Sequence, residues 1–113
     1  MIKAYAVHEP KGELKPYEYD PGPLQDTEVE INVEFCGICH SDISMIDNEW
    51  GLTQYPLVPG HEVVGTISSV GSKAGHLKVG DTVGLGWHSG YCMSCDTCLT
   101  GDHNLCSGAE ATI

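Results

Sequence analysis

Hydrophobic and polar positions along this chain repeat mostly with period two, in short runs broken by turn-forming residues. Val29, Ile31, Val33 and Phe35 alternate with Glu28, Glu30, Asn32 and Glu34. Successive strand side chains point to opposite faces, so this stretch predicts a strand with one apolar face and one wet, acidic face. Ile2–Val7 reads as a strand from its β-branched and aromatic content, and Lys15–Tyr19 as a short edge strand, because Pro16 cannot donate to a ladder. Asp20-Pro21-Gly22-Pro23 is a turn. Glu62–Val70 is another strand, interrupted by Gly65, and Val79–Val83 turns into a strand that ends at Gly86. Ser41–Asn48 departs from period two and fits a short helix, capped by Ser41 or Asp42, with Ile43 and Ile46 facing inward. Pro56 and Pro59 stiffen an extended segment. Many short strands with frequent turns predict a mainly β barrel or sandwich. There is no internal repeat, linker or low-complexity tract.

Composition narrows this picture. A length of 113 residues suits one domain, and 41% hydrophobic with 19% charged residues permits a packed core. Fourteen glycines and six prolines agree with a turn-rich β chain. The five cations are all lysine, against 16 acidic residues, for a net charge of −11. A nucleic-acid backbone or an anionic membrane surface calls for a basic patch, so neither is expected as a partner. No apolar run is long enough to span a bilayer. The opening MIKAYAVHEP lacks the charged lead and apolar stretch of a secretory signal, so a cytoplasmic location is expected.

Six cysteines carry the first candidate chemistry. Cys92, Cys95, Cys98 and Cys106 form C-x2-C-x2-C-x7-C, and Cys36 and Cys39 form a separate C-x2-C. A disulfide framework fits poorly with a reducing cytosol and leaves the repeated tight spacing unexplained. Four convergent thiolates close a tetrahedral zinc shell and make a structural site. A bacterial ferredoxin run would close with x3-Cys-Pro, which is not found here. His103 could replace Cys106 as fourth ligand. The intervening Asp96, Thr97, Gly101, Asp102 and Asn104 are turn formers, so a metal would stand in for a hydrophobic core in this lobe.

A second constellation joins Cys36-Gly37-Ile38-Cys39-His40-Ser41-Asp42 with Gly60-His61-Glu62. Thiolate, imidazole and carboxylate form a zinc ligand set, and a catalytic zinc keeps three protein ligands and one open position. Cys39, His61 and Glu62 could supply two or three of these. A thioredoxin-like redox pair at Cys36 and Cys39 would need βαβ units that this pattern lacks. His40, Ser41 and Asp42 are consecutive and cannot face one another as a hydrolytic triad.

In their order, CGICHSD, YPLVPGHEVVG, VGDTVGLGW and the four-cysteine run resemble the N-terminal catalytic domain of zinc-dependent medium-chain alcohol dehydrogenases. The nearest branch looks like cinnamyl alcohol dehydrogenases and bacterial broad-range aldehyde reductases. The match runs from about Ile2 to Cys106. The resemblance implies a GroES-like, partly open barrel of short bent strands with a short helix and a zinc lobe at about 88–108, all in one domain, 1–113. It implies Cys39 and His61 as catalytic-zinc ligands and Glu62 as a near or alternating ligand. Asp42 would orient His61, Ser41 would start a proton relay from the substrate oxygen, and His40 would lie near the cofactor diphosphate. Trp50 and Trp87 would line the substrate pocket; ordinary core packing is the other reading of each. Cys92, Cys95, Cys98 and Cys106 would hold the structural zinc, and Cys36 has no ligand role.

The implied activity is interconversion of alcohols and aldehydes with NAD or NADP. Two departures from the family pattern bear on it. That pattern places a third catalytic-zinc cysteine further downstream, and no unassigned candidate follows Cys106. Gly84-Leu85-Gly86-Trp87-His88-Ser89-Gly90 is not G-x-G-x-x-G, so the nucleotide-binding Rossmann domain is absent from this chain. The chain alone is therefore expected to be inactive and to hold the catalytic zinc poorly. The face that would meet the nucleotide-binding half could support self-association. A stand-alone zinc-binding module and a C-x2-C redox protein are the competing readings.

Overall fold

The computed structural model describes all 113 residues. β1 (Ile2–Ala6) and β2 (Lys15–Tyr19) form an antiparallel hairpin in which Pro16 opposes Tyr5, at the edge position that proline tolerates. β3 (Val29–Cys36), β4 (Val63–Val70) and β5 (Thr82–Leu85) form an antiparallel sheet in the order β3-β4-β5. β6 (His88–Gly90) pairs with β7 (Glu110–Ala111) and closes the cysteine lobe. The three sheets do not join by ladder hydrogen bonds into one closed barrel. A single bridge, Val7 to Leu57, ties the end of β1 to the loop before His61.

The expected strands are present, and two details differ. β4 begins at Val63 and runs unbroken through Gly65. A Cβ at Gly65 would lie 2.8 Å from Ile31 Cγ2 and run into the Asn32 carbonyl oxygen. The glycine therefore lets β3 and β4 approach and does not interrupt the strand. The ladder slips twice, at Glu30/Ile31 and between Val33 and Phe35. These bulges bend β3 and upset the two-faced reading of its far half. Val33 is 56% exposed and Phe35 72% exposed, because no other element covers that end of the strand.

The helix α1 (His40–Ile46) also differs from expectation. Cys39, and neither Ser41 nor Asp42, is its N-cap, and Asp42 turns back to accept the Cys39 N–H at 3.0 Å. Its buried residues are Ser41, Asp42, Ser44 and Met45, while Ile43 is exposed. The helix thus packs a largely polar face inward, toward His61. Ile67, Val7, Ala6, Met45 and Ala74 are the buried apolar side chains outside the cysteine lobe. This small core leaves a groove of about 330 Å³ between the β1–β2 hairpin and β3, lined by Ile2, Tyr19, Leu24, Ile31, Val33 and Leu85. None of the candidate site residues lines that groove.

Candidate metal centres

The first centre is built where the end of β3, the start of α1 and the turn into β4 meet. Cys39 sits on the cap of α1, and His61 and Glu62 immediately precede β4. One donor atom from each of Cys39, His61 and Glu62 lies within 4.8 Å of the others. Two glycines make this approach possible. A Cβ on Gly37 would strike the Glu62 carboxylate, and one on Gly60, whose φ is +119°, would lie 2.8 Å from Cys36 Sγ.

His61 is the pivot of the centre. Its side chain is fully buried, and its Nδ1 lies 3.1 Å from Asp42 Oδ1. With Nδ1–H donated to that carboxylate, Nε2 keeps a free lone pair, the arrangement a metal-binding imidazole requires. Nε2 lies 3.5 Å from Ser41 Oγ and 3.9 Å from Glu62 Oε1. The Ser41 hydroxyl also donates to Cys39 Sγ at 3.0 Å. Thiolate, imidazole and carboxylate therefore face one point, and the donor set suits zinc.

Aromatic rings border this point. Trp87 lies 4.9 Å from the His61 ring, centroid to centroid, and 6.4 Å from Trp50. Trp50 is 49% exposed and Trp87 43%, so neither is a core residue. His40 is exposed on the first turn of α1. Cys36 is exposed too and stands outside the donor cluster.

The second centre is the cysteine lobe. Cys92, Cys95, Cys98 and Cys106 bring their sulfurs within 4.8 Å of one another, and all are free thiols. Cys92 Sγ lies 4.0 Å from Cys98 Sγ and 3.4 Å from Cys106 Sγ. Four sulfurs about 2.3 Å from a zinc would stand about 3.8 Å apart at the corners of a tetrahedron. The spacing fits zinc and is wider than the about 2.05 Å at which disulfide sulfurs touch. His103 is not in this cluster; its ring is tilted against Tyr91, and its Nδ1 is buried without a partner. Backbone N–H groups of Ser94 and Cys95 hold the Cys92 thiol down to about 6, while burial pushes Cys98 up to about 12. The Thr97 hydroxyl lowers Cys95.

Sequence reasoning missed three supports. Within the lobe, α2 (Asp96–Leu99), a 3-10 turn (His103–Leu105) and the β6–β7 pair give it a frame where only turns were expected. Thr53 and Tyr55 donate hydroxyls at 2.6 Å to the Met45 and Ile46 carbonyls at the end of α1. Thr112 donates its N–H to the Trp87 carbonyl at 2.8 Å, pinning that backbone. No spacing signal marks Thr53, Tyr55 or Thr112, since each acts through a fold-dependent contact.

Comparison with known proteins adds to this geometry. Residues 25–113 match the alcohol dehydrogenase GroES-like domain. The chain belongs to that family. The aldehyde reductase AdhA of Synechocystis is 66% identical over 113 residues, which is all of this chain and 34% of that protein. The cinnamyl alcohol dehydrogenase SbCAD4 of Sorghum bicolor superposes with a TM-score of 0.92 at 44% identity, covering 97% of this chain and 31% of that one. CAD from Helicobacter pylori, complexed with NADP(H), superposes with a TM-score of 0.93 at 33% identity, covering 97% of this chain and 32% of that one. The mainly β architecture is thus the GroES-like one, and the chain spans about a third of the length of these relatives.

Proposed function

We propose that this GroES-like chain, residues 1–113, is the catalytic-domain portion of a zinc-dependent, NAD(P)-dependent dehydrogenase that interconverts alcohols and aldehydes. A nucleotide-binding domain outside the chain would complete the enzyme. The observation that carries this reading is the convergence of Cys39, His61 and Glu62 beside a separate, closed four-thiolate cluster.

In this reading Cys39, His61 and Glu62 hold the catalytic zinc, and Cys92, Cys95, Cys98 and Cys106 hold the structural one. Zinc bound at the first site supplies Lewis-acid polarisation of a carbonyl or alcohol oxygen. The nicotinamide supplies or accepts hydride. NADP is the favoured carrier, since it is NADP(H) that the Helicobacter pylori relative holds. The protein's own residues do the rest. Asp42 fixes the His61 tautomer through Nδ1 and fixes the Cys39 backbone through its second oxygen. Ser41 Oγ, beside both Cys39 and His61, moves the proton between substrate oxygen and solvent. Trp50 and Trp87 offer an apolar approach suited to aromatic or medium-length aldehydes. His40, exposed on α1, would lie near the cofactor diphosphate. No helix is long and apolar enough to cross a membrane. The reading assigns the enzyme to the cytoplasm and to a homo-oligomer.

The test is NADPH-dependent reduction of an aromatic aldehyde by the full-length protein carrying this chain. Activity should depend on zinc, disappear in Cys39→Ser and His61→Ala, and be absent from the 113-residue chain alone. Full activity surviving either substitution would overturn the reading.

A further inference from the structure

We propose that Trp87 is a positioning residue for His61. Its indole is a wall that stops the imidazole from rotating out of line with Cys39, a role separate from bordering the substrate approach. The inference rests on the reading of His61 as a zinc ligand. The bond from Nδ1 to Asp42 Oδ1 fixes one edge of the ring, but a ring held at one edge can still swing about that bond. The Trp87 indole lies against the ring, with centroids 4.9 Å apart and planes 48° apart, and blocks the swing. The exposures agree with this. The His61 side chain is fully buried while Trp87 is 43% exposed, so the indole is the cover between the imidazole and water.

The backbone under Trp87 is held for this task. Thr112 donates its N–H to the Trp87 carbonyl at 2.8 Å and its hydroxyl to the Gly86 carbonyl. β6 begins at the next residue and pairs with β7, so both sides of the cysteine lobe anchor the indole. Trp50 is different. Its ring is tilted against Trp87 with centroids 6.4 Å apart, and no ring contact joins it to His61. Partners that orient a metal-binding histidine typically change metal affinity 10–100-fold when lost.

Co²⁺ titration of the full-length protein carrying this chain, followed by the thiolate-to-cobalt charge-transfer bands, reads the two sites separately. Trp87→Leu should weaken the Cys39/His61 site about tenfold and leave the four-cysteine site unchanged. Trp87→Phe, which keeps a ring, should stay within about twofold of the unsubstituted protein, and Trp50→Leu should leave both sites unchanged. NMR of the His61 ring nitrogens in the metal-free full-length protein gives a second readout. A single Nδ1–H tautomer is expected in the unsubstituted protein and a mixture in Trp87→Leu. Unchanged Co²⁺ affinity in Trp87→Leu, or a phenylalanine variant as weak as the leucine one, would overturn the proposal alone. Failure of the unsubstituted full-length protein to bind a second ion would overturn the zinc reading and the proposal with it. If Trp87→Leu does not fold, Trp87→Phe with an altered tautomer ratio would overturn the proposal, and an unaltered ratio would support it.

Discussion

Asp42 commits both carboxylate oxygens to the candidate ligands, Oδ1 to His61 Nδ1 at 3.1 Å and Oδ2 to the Cys39 N–H at 3.0 Å. Asparagine can accept only one of these donors and would turn its own N–H₂ toward the other. Asp42→Asn should therefore weaken Co²⁺ binding at the first site by about 10–100-fold, measured by competition with a chelator. The cysteine lobe yields a pH prediction. Cys92, at about 6, is already a thiolate at neutral pH, whereas Cys98, at about 12, must lose a proton to a bound metal. Protons thus compete with zinc at Cys98, and affinity rises with pH throughout the interval between those values. For this one proton the rise is roughly tenfold per pH unit, checked by zinc competition at two pH values. At this scale the sequence was largely legible. The spacing of Cys92, Cys95, Cys98 and Cys106 encodes a local cluster, and Cys39 and His61 stand in recognisable motifs. The wall that Trp87 sets beside His61 was not legible, because it depends on how β5 ends and on where Thr112 returns.

At the scale of elements, α1 is the informative case. Its seven residues are too few for a stable isolated helix, and its last turn carries no basic residue. Tertiary caps compensate, with hydroxyls from Thr53 and Tyr55 on the last carbonyls. Thr53→Val should cost about 1 kcal/mol in chemical denaturation, since Asn48 N–H still bonds the Met45 carbonyl. In the sheet, Gly65→Ala should cost about 1–3 kcal/mol, because the added methyl meets Asn32 and Ile31 across the ladder. The period-two pattern located β3 and β4 well, since alternation is a local signal. It could not report the bulges in β3, nor that α1 buries serine and aspartate and exposes Ile43. A helix that serves a polar site inverts the usual inside–outside rule, and hydrophobic patterning then misleads.

The molecule as a whole exposes more than a compact monomer of its size should. Its accessible surface is 7753 Å², against about 6,000 Å² from the size scaling of folded monomers. Its radius of gyration is 15.3 Å, against about 13.3 Å. Val33, Phe35 and Ile38 contribute to this apolar exposure. In the proposed enzyme a further domain or a second copy would cover such surface. The isolated chain should therefore bind an environment-sensitive hydrophobic dye strongly while its metal sites are filled. Weak dye binding would show that the surface is shielded by another route.

The measurement that bears most directly on the account is metal stoichiometry by Co²⁺ titration with native mass spectrometry on the full-length protein carrying this chain and on two variants of it. The account predicts two ions per chain, the tighter one lost in Cys98→Ser and the weaker one lost in Cys39→Ser. A single ion in the unsubstituted full-length protein, or a Cys39→Ser variant that still binds two, would contradict it.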